Sequence, residues 1–175
     1  MKALSKNVVE VVKQEFEPIC GKPCWLVSYD RSSGVRINFG EPYLIIKEPK
    51  ETIKNSKRKI TVFGQWSLMV RHCHWGFYLN DRCLAHDNSP IDVINTILPM
   101  LDGQILVSVV VDTERECTEF CFELGDVLQT SSYDQYDKKY MDIDKPAYDW
   151  ILYKPDQAAF SYRGDGIYKY GKGLK

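Results

Sequence analysis

The chain carries almost no net charge: 23 Lys and Arg stand against 24 Asp and Glu, leaving −1 at pH 7. A generic nucleic-acid binder neutralises phosphates with a basic surface, and this balance supplies none. The one basic run, Lys54, Lys57, Arg58 and Lys59, reads as a solvated loop. Long hydrophobic runs are missing as well. The longest, Ile105 to Val111, falls far short of the roughly 20 residues that span a bilayer. Neither nucleic acid nor a membrane is therefore an expected partner. Met1 to Val12 has early lysines without an unbroken apolar stretch behind them, unlike a secretory signal, so the expected compartment is the cytoplasm. There is no Gly-x-Ser-x-Gly elbow, and no Gly-rich phosphate loop running into Lys-Ser or Lys-Thr.

What is present is the composition of a folded protein. Of the 175 residues, 44% are hydrophobic and 13% aromatic, which excludes a disordered chain and permits a core without metal or disulfide staples. The 6 cysteines are an even number, but without a secretory pattern they read as reduced thiols. Cys117 and Cys121 on one strand face lie about 13 Å apart, beyond the roughly 7 Å between Cα atoms that a disulfide allows. Cys20 and Cys24, flanking Gly21-Lys22-Pro23, are the pair a turn would bring within reach.

Periodicity assigns the elements. Val8, Val11, Val12 and Phe16 recur at helical spacing, with Asn7 and Glu10 as a capping box and Pro18 and Gly21 as the stop. Trp25, Val27 and Tyr29, then Val35, Ile37 and Phe39, form a hairpin about Arg31-Ser32-Ser33-Gly34. Gly40 and Pro42 separate it from a further strand, Tyr43 to Lys47. From Ile60 to Val70 one face is apolar. After Arg71 the phase slips, and Cys73, Trp75 and Phe77 become the apolar set, which predicts a bulge or sharp bend at Arg71 to Cys73. Ser89 as N-cap and Pro90 as first helical residue start a second helix along Ile91, Ile94 and Leu98, ended or kinked by Pro99. Ile105 to Val111 reads as a central strand buried on both faces. Phe120, Phe122 and Leu124 alternate with wet residues up to a Gly125-Asp126 hairpin turn. Strands resume at Tyr148 to Tyr153, Ala159 to Arg163 and Ile167 to Tyr170, and Arg163-Gly164-Asp165 reads as a tight turn. The expectation is one domain over 1–175, α+β, with a mainly antiparallel β-sheet of about ten short strands, an N-terminal helix and one central helix.

Several motifs resemble a family of uncharacterised small bacterial proteins. They are Phe39-Gly40-Glu41-Pro42-Tyr43-Leu44, Gly64-Gln65-Trp66 with Cys73-His74-Trp75, Leu101-Asp102-Gly103-Gln104, Phe122-Glu123-Leu124-Gly125, Trp150-Ile151-Leu152 and the Asp165-Gly166 turn. The resemblance covers roughly Trp25 to Tyr168. Its motifs are turns and core anchors, and it implies an immunity or accessory role without any transferable catalytic residue.

Chemistry-bearing residues are few. His72 and His74 share a strand face about 6.6 Å apart, and Cys83 or His86 across the next turn would complete a tetrahedral zinc site. Against this, the phase change turns both imidazoles outward. Cys83 and His86 are also the nearest thiol–base pair. Asp142 and Asp144 read as loop aspartates. No catalytic residue and no cofactor is expected. The most unusual stretch is a Tyr/Asp-rich loop over 133–149. Tyr133, Tyr136 and Tyr140 alternate there with Asp134, Asp137, Asp142 and Asp144. Tyrosines supply rigid contact area and aspartates steer a basic partner. The expected function is thus a non-catalytic protein-interaction module, immunity-type in its sharpest form, that meets a protein partner with a basic surface through this loop. The alternative is a metal-dependent or small-molecule-binding enzyme using His72, His74, Cys83 and His86.

Overall fold

The computed structural model describes residues 7–49, 56–133, 147–156 and 158–173. The first helix, α1 (Val8–Phe16), begins where the sequence pattern puts it. The Asn7 side chain accepts the Val9 amide at 3.2 Å, and Val11, Val12 and Phe16 are buried. β-Branched valines are poor helix formers, so the helix depends on that buried face, at roughly 1.5–3 kcal/mol per large side chain. Glu15 anchors it: Lys154 Nζ donates to Glu15 at 3.0 Å and the Tyr170 hydroxyl at 2.8 Å.

Among the described residues, eleven strands follow in two antiparallel sheets, an α+β, mainly β architecture. The six-stranded sheet runs in the order β1 (Cys24–Asp30), β2 (Gly34–Lys47), β3 (Lys59–Val70), β9 (Trp150–Tyr153), β10 (Ala158–Tyr162), β11 (Tyr168–Lys172). The five-stranded sheet runs β5 (Arg82–His86), β4 (Cys73–Leu79), β8 (Asp126–Ser132), β7 (Cys117–Phe122), β6 (Leu106–Asp112). Their inner faces share one core with α1. Phe16 lies 5.3 Å from Trp150 of one sheet and 5.7 Å from Phe120 of the other, and Trp150 stacks on Tyr162 at 4.8 Å. The buried indole N–H donates to Thr118 Oγ1 at 3.2 Å, so this aromatic centre leaves no orphan donor. No helix among the described residues is long and apolar enough to cross a membrane.

The phase slip at Arg71 to Cys73 is a sharp bend at which the chain changes sheets. β3 belongs to the six-stranded sheet and β4 to the five-stranded one, and Arg71 and His72 make the corner, His72 at φ 59°. Leu68 and Val70 therefore face Trp75 and Phe77 across the core.

Four readings need correction. Ile105 to Val111 is not a central strand: β6 is a sheet edge, with Val107 and Val110 about half exposed. A bulge between Leu106 and Ser108 shifts the inward set from Leu106 to Val109, and this erases the alternation that marks an edge strand. The N-cap of α2 (Ile91–Ile97) is Pro90 rather than Ser89. Ser89 Oγ accepts the His86 amide instead, closing the preceding turn. A 3₁₀ turn at Leu98–Leu101 continues the helix where Pro99 bars α geometry. Asp126 is no turn residue but opens β8 and is buried, the turn being 123–125. Finally, Gly40 and Pro42 do not split two strands. They form a bulge within β2, with register lost between Phe39 and Pro42.

That bulge bends the β2–β3 ladder. Asn38, fully buried, bonds backbone groups at two irregularities: its Oδ1 accepts the Gly64 amide at 3.0 Å beside this bulge, and its Nδ2 donates to Trp25 O and Leu26 O, where the β1–β2 register shifts. Gly64 is needed at the bend because a Cβ there would lie 2.6 Å from Phe39 O. Arg36 pairs with Met69, so a straight β3 would set Phe63 roughly 20 Å away. The Arg36 guanidinium nevertheless lies 4.8 Å over the Phe63 ring, which shows how far the ladder turns back on itself.

Candidate functional site

Past the bend, β2 and β3 run on as a two-stranded arm. Pro42 to Lys47 pairs with Lys59 to Gly64. The neighbouring strands stop short, β1 at the level of Phe39 and β9 at the level of Ser67. Among the described residues both edges of the arm are thus unpaired, as in a free hairpin, which is marginally stable in water. Cross-strand pairs Leu44–Val62 and Ile46–Ile60 put four aliphatic side chains on one face. Leu44, Ile60 and Ile46 are 58%, 53% and 47% exposed. Tyr43 and Phe63 occupy the other face with their rings 6.2 Å apart. Lys47 and Lys59 pair across the strands at the far end, on the face of Tyr43 and Phe63, and Arg58 pairs with Glu48 at 3.1 Å. The basic run read as a solvated loop therefore forms the charged end of this arm in part, Lys54 lying outside the described residues.

The sequence reading missed this surface. Its available signal is Leu44-Ile45-Ile46 opposite Ile60, Val62 and Phe63, where apolar residues fill both parities of two paired strands. Both parities are apolar when a strand is buried on both sides or when it meets something outside its own chain.

The imidazole–thiol candidates are only partly gathered. Asp87 joins two of them: its Oδ2 lies 2.8 Å from His74 Nδ1 and its Oδ1 3.9 Å from His86 Nδ1. His86 Nδ1 also accepts the Asn88 amide at 3.2 Å, which fixes the neutral ring with its proton on Nε2. That nitrogen then has no free lone pair for a metal. His72 stands exposed on the corner between sheets, and burial with the neighbouring Arg71 charge lowers its pKa. Cys83 is exposed and directs its thiol to Ala85 O at 3.5 Å. No group of three or more His, Cys, Asp and Glu side chains with metal-holding geometry occurs among the described residues.

The six thiols are free. Burial raises the pKa of Cys24 to about 12, and Asp102 adds to the rise; Cys73 is pushed well up by burial and by Asp149. Cys24 donates to Leu101 O at 2.9 Å and Cys73 to Asp149 O at 3.3 Å. Both behave as small core side chains and not as nucleophiles. Cys20 and Cys24 are not bridged.

Of the Tyr/Asp-rich loop, Tyr133 is described and Asp134, Tyr136, Asp137, Tyr140, Asp142 and Asp144 lie outside the described residues. Tyr133 is half-buried and meets the His74 ring edge-on at 4.7 Å. At the loop's far end Asp149 is buried, and its Oδ2 accepts Ser132 Oγ at 2.5 Å and the Gly164 amide at 2.8 Å. Those contacts fasten β8 to β9 and β10 across the two sheets, so Asp149 serves structure at the base of the loop.

Open clefts also lie among the described residues. One, of about 440 Å³, lies between α1 and β6, lined by Lys13, Glu17, Cys20 and Val107. Another, of about 490 Å³, has Tyr78, Asp81, Glu119 and Gln129 in its wall. Glu119 already accepts Gln129 Nε2 at 2.9 Å, so two of the polar groups of the second cleft bond to each other. Comparison of the chain with family models, curated proteins and solved structures returns no match.

Proposed function

We propose that this chain is a non-catalytic protein-interaction module and that a partner protein grips the β2–β3 arm. The observation that carries the reading is the aliphatic face of Leu44, Ile46 and Ile60, exposed, and Val62, partly exposed, on a ladder whose edges are both unpaired among the described residues. Such a face holds apolar area in water without using it to fold, and open edges accept an added strand through main-chain hydrogen bonds. Lys47 and Lys59 at the far end of the arm favour a partner that carries acidic groups. The loop over 133–149 is a second proposed contact, toward a basic surface of the partner, and rests on its composition. An immunity-type role, in which the module caps a toxin's active site, is the sharpest form and draws on the resemblance to small bacterial proteins.

The test is site-specific photocrosslinking in cells. A crosslinker at Leu44 or Ile60 yields one discrete protein adduct, one at the exposed turn residue Leu124 does not, and Ile46→Asp removes the adduct. If the arm gives no adduct, or the same smear as Leu124, the reading fails. An adduct only with a second copy of this chain replaces it with self-association. Loss of capture on changing Tyr136 and Asp137 to Ala supports the loop contact, and unchanged capture removes it.

The enzyme reading on His72, His74, Cys83 and His86 keeps one supporting contact, the Asp87 carboxylate between two imidazoles. A carboxylate hydrogen-bonded to His74 Nδ1 is the contact that orients a histidine binding metal through its other nitrogen. Elemental analysis decides it: stoichiometric zinc lost on His74→Ala would reinstate the enzyme.

A further inference from the structure

Among the described residues, two arginines on the outer face of the six-stranded sheet have no acidic partner. Arg36 on β2 is the cross-strand neighbour of Met69, and Arg71 lies two residues beyond Met69, where its amide donates to Asp149 O at 2.9 Å and continues the pairing past β3. Ser67 lies two residues on the other side of Met69, and its cross-strand partner on β9 is Tyr153. Three strands thus place Arg36, Ser67, Arg71 and Tyr153 around one methionine. Ser67 is 1% exposed, and its hydroxyl finds no hydrogen-bond partner. The Nε of Arg36 and the Nε of Arg71 are buried and unpartnered too. Among the described residues no carboxylate pairs with either guanidinium. Arg36 touches Phe63, but stacking on a ring uses the flat face of the guanidinium and leaves its in-plane N–H donors free. Burial lowers the Arg36 pKa, with no acid nearby to offset it. Burial raises the Tyr153 pKa, and the charge of Arg71 pulls it partly back, so that charge lies close to the phenol.

A half-buried guanidinium without a counter-charge is costly, and an aliphatic side chain would hold the sheet better. Two such groups beside an unused buried hydroxyl make a donor set lacking only its acceptor. A carboxylate would answer one charge of the two. A phosphate monoester carries about −1.5 to −2 at pH 7 and three acceptor oxygens, enough for two guanidiniums and a hydroxyl. We propose that this face binds the phosphate group of a small molecule, held by Arg36, Arg71 and Ser67, with the Tyr153 hydroxyl as a fourth donor. The ends of both arginines remain within reach of a ligand, since each residue is only half-buried.

Calorimetric titration of the full chain with inorganic phosphate at constant ionic strength tests this, with chloride as baseline and acetate as the monoanion arm. Phosphate binds saturably, and acetate at least about tenfold more weakly. Arg36→Met and Arg71→Met each weaken phosphate by about tenfold or more. Ser67→Ala removes a hydroxyl that the free protein does not use. It therefore leaves the melting temperature of the free protein unchanged while weakening phosphate about three- to tenfold. That variant keeps the test decisive even if an arginine variant folds poorly. Absence of saturable heat, acetate equal to phosphate, or Ser67→Ala binding like the wild type would each overturn the proposal.

Discussion

Gln104 donates its Nε2 to Asp126 Oδ2 at 2.6 Å inside the protein, while Gln104 Oε1 and Asp126 Oδ1 are both buried without a donor. Two acceptors facing a donor-poor interior predict an unusual response to substitution. Asp126→Asn keeps an oxygen for Gln104 Nε2 and adds an N–H₂ where acceptors stand idle. It leaves stability unchanged or raises it by about 1 kcal/mol. Asp126→Ala leaves Gln104 short of a partner and costs about 1–3 kcal/mol. Urea midpoints of the three proteins check this, and Asn behaving as badly as Ala would refute it.

Gly64 is the tightest point of the arm. Any Cβ there sits 2.6 Å from Phe39 O and 2.7 Å from Trp66 O, both backbone. Gly64→Ala therefore costs at least about 2 kcal/mol. It also frees the Asn38 clamp, seen as loss of protection at the Gly64 amide in hydrogen exchange. Gly171→Ala, whose Cβ meets nothing within 4 Å, stays within about 0.5 kcal/mol of the parent and serves as control.

Thiol reagents read the burial directly. Cys83 is exposed, whereas Cys24 and Cys73 are buried and hydrogen-bonded to carbonyls. In native buffer Cys83 is modified first, and Cys24 and Cys73 react about 100-fold more slowly or only with unfolding. Mass spectrometry of partially alkylated protein gives the order, and early labelling of Cys73 would contradict the packing between the sheets.

Alkaline pH weakens the fold through the same thiols. Cys24, ordinarily near 9.0, is held up at about 12, and Cys73 is also raised. Above pH 9 the unfolded chain loses these protons while the folded chain keeps them, so stability is full below that pH and falls as pH climbs toward 12. The slope is about 1.4 kcal/mol per pH unit for each such thiol. Urea midpoints at pH 8 and 10.5 measure the loss, and Cys24→Ala flattens it even though Ala gives up the bond to Leu101.

Sequence pattern made α1, the first hairpin and the strand faces legible, because each follows from spacing within one segment. Asn7 caps α1 as its position implies, and Trp75 and Phe77 turn inward as the slip after Arg71 implies. The edge position of β6 was hidden because a bulge at Val107 mixes the two parities. Neither surface proposed above stands out along the chain. Arg36, Ser67 and Tyr153 look like ordinary wet-face residues until three distant strands pair, and Leu44 and Ile46 look like core until the neighbouring strands stop short. Local alternation reports which way a side chain points, not what lies beyond it.

His72 has a consequence for how the gene can change length. One extra residue at that corner would reverse the facing of every position in β4, turning Trp75 and Phe77 to solvent and Tyr78 inward. Surface turns such as 123–125 absorb insertions without inverting a strand. Natural variants of this chain should therefore differ in length at its turns and keep the two-residue joint, Arg71 and His72, between Val70 and Cys73.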